Sequence, residues 1–162
     1  MQTRPSRIEQ PEGVIISDQI SSLFGYSDRA ERYRAQLLDF MEKCVYPAEP
    51  VYDAQMCESG NPHHHPVIVE DLKSEARRRG LWNVFHPHPQ WGPGLSNLEY
   101  APLAEIMGRS PHLAPEACNC NAPDTGNMEV LTLFGSDEHK QRWLRPLLDG
   151  RSEEHTSELQ SL

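Results

Sequence analysis

Between its prolines and glycines this chain spaces apolar residues by three and four, and nowhere sustains the alternation that a half-buried strand requires. The clearest case is SDRAERYRAQLLDFMEKCV, where Tyr33, Leu37, Phe40, Met41 and Cys44 form one stripe. Ser27 is placed to cap this helix, and Pro47 is predicted to end it. A second helix is predicted in PVIVEDLKSEARRRG, with Pro66 in the first turn, Val67, Leu72 and Ala76 facing inward, and Gly80 where a left-handed terminal residue is needed. A third opens at Ser96 and runs through NLEYAPLAEIMG, with Leu98, Ala101, Ile106 and Met107 on its buried face. PEACNCNA, NMEVLTLFG and SDEHKQRWLRPLLDG complete the set, the last capped by Ser136. The expected fold class is all-α, a helical bundle with irregular connections whose stripes bury one another.

Fourteen prolines, 37% apolar residues and a mean hydropathy of −0.66 imply a modest core for 162 residues. Residues 1–26 read as a flexible N-terminal arm and 27–150 as the helical domain. Within the domain, LWNVFHPHPQWGPGL is a loop anchored by Trp82, Phe85 and Trp91. Residues 151–162, RSEEHTSELQSL, have no face worth burying. Their first eleven residues are the in-frame translation of a sequencing-adapter oligonucleotide, so the segment reads as an adapter-derived artefact tail, disordered or non-native. It carries Arg151 against Glu153, Glu154 and Glu158, so the remainder stays acidic without it.

A net charge of −9 argues against nucleic acid as a partner, because phosphate binding needs a concentrated basic face. The cluster Arg77, Arg78, Arg79 sits at a helix C-terminus, where the dipole favours cations. No run reaches the roughly 20 apolar residues of a membrane span, and the first residues lack the apolar core of a secretory signal. The expected location is cytoplasmic. Four cysteines, at 44, 57, 118 and 120, are then reduced thiols.

Short chemical motifs are sparse. Cys118-x-Cys120 has one intervening residue where a zinc half-site takes two to four, and no second pair completes it. His63, His64 and His65 lie in a Gly-Asn-Pro context typical of a solvated loop, and His86 with His88 flank a proline in an extended segment. The expectation is no metal site. Ser96 and Ser110 read as helix caps, and there is no nucleophile elbow or glycine-rich phosphate cradle.

Longer motifs are more informative. RGLWNVF, GLSNLEYAPLAEIMGRS, NAPDTGNMEVL and FGSDEHKQRWLRPLLDG occur in an order that resembles the acyl-CoA dehydrogenases, most closely the branch of family members 10 and 11. With RYRAQLLDFMEKCVYPAEPVY, similar to the family's opening helix, the likeness covers roughly residues 28 to 150. NCNAP stands where that branch has NCSAP, a departure that leaves the assignment intact. The resemblance implies an N-terminal α-helical domain, truncated before the β-domain, of an FAD-dependent enzyme that converts acyl-CoA to trans-2-enoyl-CoA. Its partners would be acyl-CoA and an electron-transfer acceptor, and the parent would be a homodimer or homotetramer. In the family the segment after LLDG enters a flavin-contacting motif, so the cofactor-binding segments and the catalytic glutamate are expected to lie outside this chain. By position, the resemblance gives Cys118, Asn119, Asn121, Asp124 and Thr125 a place in one wall of the acyl pocket. The alternative from another class is a stand-alone helical interaction module without catalytic activity.

Overall fold

A computed structural model describes residues 26–151, and every regular element among them is helical. The expected arm lies outside these residues except for Tyr26, and the expected tail except for Arg151. In chain order the elements are α1 (Asp28–Phe40), a π-helical turn π1 (Met41–Val45), α2 (Tyr46–Ser59), α3 (Val67–Arg78), α4 (Asn97–Met107), the short α5 (Ala114–Ala117), and α6 (Asp124–Phe134). Then come α7 (Asp137–His139), a second π turn π2 (Lys140–Leu144) and α8 (Arg145–Leu148).

Pro47 does not end the first helix. The chain runs on through π1 into α2, with Pro47 in the first turn of α2 and Pro50 inside it. A proline has no N–H for the carbonyl four residues back, and its ring crowds that carbonyl. Widening the helix for one turn resolves the conflict: the Tyr46 N–H reaches Met41 O five residues back. The same device recurs before Pro146, where the Arg145 N–H bonds Lys140 O across π2. Each π turn thus ends two residues before a proline, and α1 to α2 and α7 to α8 are single bent rods.

Helix starts follow the sequence. Ser27 Oγ accepts from Ala30 N at 3.2 Å and Ser136 Oγ from His139 N at 3.2 Å. At α4 a full capping box forms: Glu99 N donates to Ser96 Oγ and Ser96 N to Glu99 Oε2. Ser27 Oγ also donates to Glu99 Oε1 at 2.5 Å, so one carboxylate ties together the starts of α1 and α4, which pack on each other. The Ser27 bond, then the bonds from Ser96, hold Glu99 down to about 2. Ser110 acts through its carbonyl, which accepts from Leu113 N and Ala114 N.

Two stripes are rotated from expectation. In α3 the buried positions are Val69, Leu72, Lys73 and Ala76, while Val67 is exposed, because Pro66 sits outside the helix as its N-cap and the inward face begins one turn later. In α4, Leu103, Ile106 and Met107 are buried but Ala101 faces out and Leu98 is 79% exposed. Pro102 is buried in their place. The core gathers Leu37, Phe40, Met41 and Val45 from the first rod with Leu72, Leu81, Leu103, Leu113, Met128 and Leu144. Lys73 is nearly buried between Glu116 at 2.7 Å and Glu70 at 3.1 Å. Burial opposes its charge, but the two carboxylates outweigh it and the pKa ends raised.

The loop after α3 is buried at Asn83, Val84, Phe85 and His86 and exposed from Pro87 to Gln90. His86 is fully buried: its Nε2 lies 3.1 Å from Thr132 Oγ1 of α6, and its Nδ1 is 3.3 Å from His88 N. A backbone N–H can only donate, so Nδ1 is the acceptor and the neutral ring carries its proton on Nε2, towards Thr132. Burial, and then nearby His88, push the pKa of His86 down to about 4. The unfolded chain therefore binds a proton near 6.5 that the folded chain refuses, and His86 contributes stability above 6.5 that is lost as pH falls towards 4. The strongly lowered carboxylates Glu75 and Glu99, both about 2, contribute their share above 4.5 and lose it only below that, so the two effects separate. Urea melts at pH 7 and pH 4.5 are expected to differ by about 2 kcal/mol, and His86→Gln, which keeps a donor for Thr132, is expected to remove most of that difference.

Candidate functional site

The segment Pro115–Thr125 is built from a helix that stops early. The helix predicted through PEACNCNA ends at Ala117, and Cys118 is its C-cap. Asn119 takes a left-handed conformation, φ 53°, and its N–H bonds Glu116 O while the Cys120 N–H reaches Pro115 O. These two bonds define a Schellman ending with asparagine in the place that glycine usually takes. The same pair of bonds closes α3 at Gly80, φ 72°, and α8 at Gly150, φ 77°.

Asparagine carries something glycine lacks. The Asn119 Nδ2 donates to Asn83 Oδ1 at 2.6 Å and to Leu147 O at 2.9 Å. Asn83, also left-handed at φ 55°, donates its Nδ2 to Leu148 O at 3.1 Å and its N–H to Cys118 O at 3.0 Å. Trp82 Nε1 donates to Leu148 O as well, at 2.8 Å. Two asparagines thus join the loop after α3, the turn after α5 and the end of α8. Nothing in the pattern LWNVF marks Asn83 for this role, since its conformation and partner come from chain far away in sequence.

The thiols lie behind this turn. Cys118 is fully buried, and burial, with Cys120 nearby, raises its pKa well above the usual thiol value. Cys120 donates from Sγ to Cys118 O at 3.3 Å. Burial pushes it up to about 12, against opposing hydrogen bonds from Phe85, Tyr100 and Val84. Both thiols stay protonated, and a protonated thiol is neither nucleophile nor metal ligand. Among the described residues no three His, Cys, Asp or Glu side chains are placed to share a metal ion.

Of the five residues expected in a pocket wall, Cys118 and Asn119 are therefore packed inside this domain, whereas Asn121, Asp124 and Thr125 are accessible. Asn121 Nδ2 donates to Glu116 Oε2 at 3.3 Å, and its carbonyl accepts from Thr125 N at 3.2 Å. Asp124 and Thr125 form the first turn of α6, whose N-cap is Pro123 without a side-chain cap bond. From that turn α6 buries Met128 and Thr132 and turns Val130, Leu133 and Phe134 outward, Phe134 at 81% exposure. Sequence reasoning missed this outward row, although VLTLF has apolar residues on two sides of the helix and so more than one inward face needs.

A family model for the acyl-CoA dehydrogenase N-terminal domain matches residues 27–151. The Mycobacterium tuberculosis protein named "Probable acyl-CoA dehydrogenase FadE2" is 51% identical over 129 residues, which are 79% of this chain and 31% of that protein. Mouse "Acyl-CoA dehydrogenase family member 10" is 43% identical over 148 residues, 88% of this chain and 13% of its own length. A solved structure from Mycobacterium abscessus that bears an acyl-CoA dehydrogenase name superposes with a TM-score of 0.70 at 46% identity, covering 78% of this chain and 33% of that one. The chain thus spans a third or less of the length of these relatives.

The asparagine clamp gives a stability prediction. Asn119→Ala leaves Asn83 Oδ1 without its donor, strips Leu147 O of one donor while it keeps the Gly150 N–H, and puts alanine in a left-handed position, and is expected to cost about 2–4 kcal/mol in thermal or urea melts. Asn119→Gly relieves the backbone strain only and should recover about 1 kcal/mol of that loss. Thiol reactivity gives another. With iodoacetamide at pH 8, exposed Cys57 is expected to label readily, while Cys120, at about 12, labels at least about a hundredfold more slowly until the chain is unfolded.

Proposed function

Because the chain belongs to the acyl-CoA dehydrogenase family through its N-terminal domain, we propose that it is the helical N-terminal part of an FAD-dependent enzyme that desaturates acyl-CoA between Cα and Cβ. Its contribution is one wall of the acyl pocket. The observation that carries this is α6: its outward row Val130, Leu133 and Phe134 is exposed, while Asp124 and Thr125 in its first turn stand on the other side, over buried Met128 and Thr132. An exposed apolar row of this kind marks a contact with a ligand or with further protein, and a fatty acyl chain is one such ligand. Asn121, beside Asp124 and Thr125, supplies the polar edge of that wall, and Cys118 and Asn119 support it from behind.

The Arg77 guanidinium lies 3.7 Å over the Trp82 ring, so one face of that indole is already covered within the domain. In this reading the cofactor, the glutamate base and the electron-transfer acceptor belong to polypeptide beyond Gly150, and the complete enzyme is a cytoplasmic homodimer or homotetramer. No helix among the described residues is long and apolar enough to cross a membrane.

Expression of the source gene, read through the codon for Gly150, tests the proposal. The full product is expected to purify with flavin absorbance and to reduce an artificial acceptor when given acyl-CoA, whereas the 162-residue chain shows neither. Stoichiometric flavin on the 162-residue chain, or a genuine stop after Leu162 in the locus, would overturn it.

A further inference from the structure

Arg145, Trp91 and Gln90 line a cleft of about 560 Å³ whose opposite side is Arg77, Trp82 and the end of α8. Its charge runs against that of the chain, which is −9. Arg77 and Arg145 face it with one carboxylate, Asp149, and Arg77 is already committed: it covers Trp82 and donates to Asp149 O at 2.6 Å. Arg145 has no carboxylate partner among the described residues and only lies 5.5 Å over the Trp91 ring. The Trp91 indole N–H and the Gln90 amide have no protein partner among them either. Gln90 and Arg145 are exposed and Trp91 half-buried, so these three donors lining a cavity of ligand size are left to water within the domain.

The position of the cleft indicates what fills it. Leu148 and Asp149 form part of its wall, and the backbone leaves the domain from inside it, through the Schellman ending at Gly150. The matched relatives extend for two thirds or more of their length outside the shared region. We propose that this cleft seats the polypeptide that follows Gly150 in the full-length protein, through a carboxylate held by Arg145 and an apolar side chain against Trp91. The inference rests on the reading of the chain as an N-terminal domain. Arg151 also borders the cleft, where it pairs with Asp149 at 2.9 Å.

The test replaces residues 151–162 with the twenty residues that follow the matched region in the Mycobacterium tuberculosis relative, in a background where Trp143 is phenylalanine, and compares this chain with one that also carries Trp91→Phe. Trp82 is kept because it walls the cleft and donates to Leu148 O, and the difference between the two chains is the Trp91 signal. Acrylamide quenching of that signal is expected to fall at least threefold relative to the unextended chain, and Arg145→Ala is expected to restore it. Should the extended chain fail to fold, the same twenty residues as a free peptide, titrated onto the 162-residue chain, are expected to shift Trp91 emission to the blue in a manner abolished by Arg145→Ala. Unchanged quenching, or no response to peptide, overturns the proposal. Equal protection by millimolar phosphate or acetate also overturns it, in favour of a small-anion site. These outcomes are independent of flavin binding and turnover by the full product, so the cleft assignment and the enzyme assignment can fail separately.

Discussion

The paired amides of Asn83 and Asn119 are the constraint on which the site depends. One chain segment follows α3, another follows α5, and both are held in left-handed conformations that leave their backbone groups pointing at each other. The last carbonyls of α8 accept from the same two side chains, Leu147 O in addition to the Gly150 N–H. A hydrogen bond of this kind adds about 1 kcal/mol net, but a buried acceptor left empty costs up to about 3. The network is therefore worth more as a condition than as a sum: if one amide is lost, three helix connections lose their mutual register. Since α6 begins five residues after Asn119, the placement of the proposed wall follows from the clamp.

The prolines supply the second layer of order. Ordinary propensity makes Pro47, Pro50 and Pro146 interruptions. The chain instead absorbs two of them by widening the helix for a single turn immediately upstream. Met41 and Val45 of the first rod, and Leu144 with Leu147 of the last, lie at or beside these π turns and join one core.

What was legible in the sequence and what was not divides along a physical line. Caps are local, so Ser27, Ser96 and Ser136 were readable from type and position alone, as was Gly80. Fold class was readable from spacing, and the order of long motifs carried the family. Facing was read less well: Leu98 and Val67 fit an apolar template but lie outside, because a helix shows several apolar positions and only its neighbours decide which are used. His86 and Asn83 were not legible at all. A histidine just before a proline resembles part of an extended loop unless Thr132, 46 residues away, is known to be waiting for it. The two cysteines stood out by rarity and spacing, yet they serve as small buried groups, while the adjacent asparagine, common at any turn, carries the architecture.

This bears on how α6 should be understood. A helix that covers one core shows a single apolar stripe and a polar back. After Asn127, α6 has no such back: Met128 and Thr132 face the core, Val130, Leu133 and Phe134 face away, and only Glu129 is charged. Three large apolar side chains held in water cost on the order of 1.5–3 kcal/mol each relative to burial, a penalty that a chain with a modest core would not sustain without a use for the surface. Burial on both sides is the state for which such a sequence is suited. The inner cover is this domain, fixed by the clamp and by His86 against Thr132. In the proposed reading the outer cover comes from a ligand or from more polypeptide.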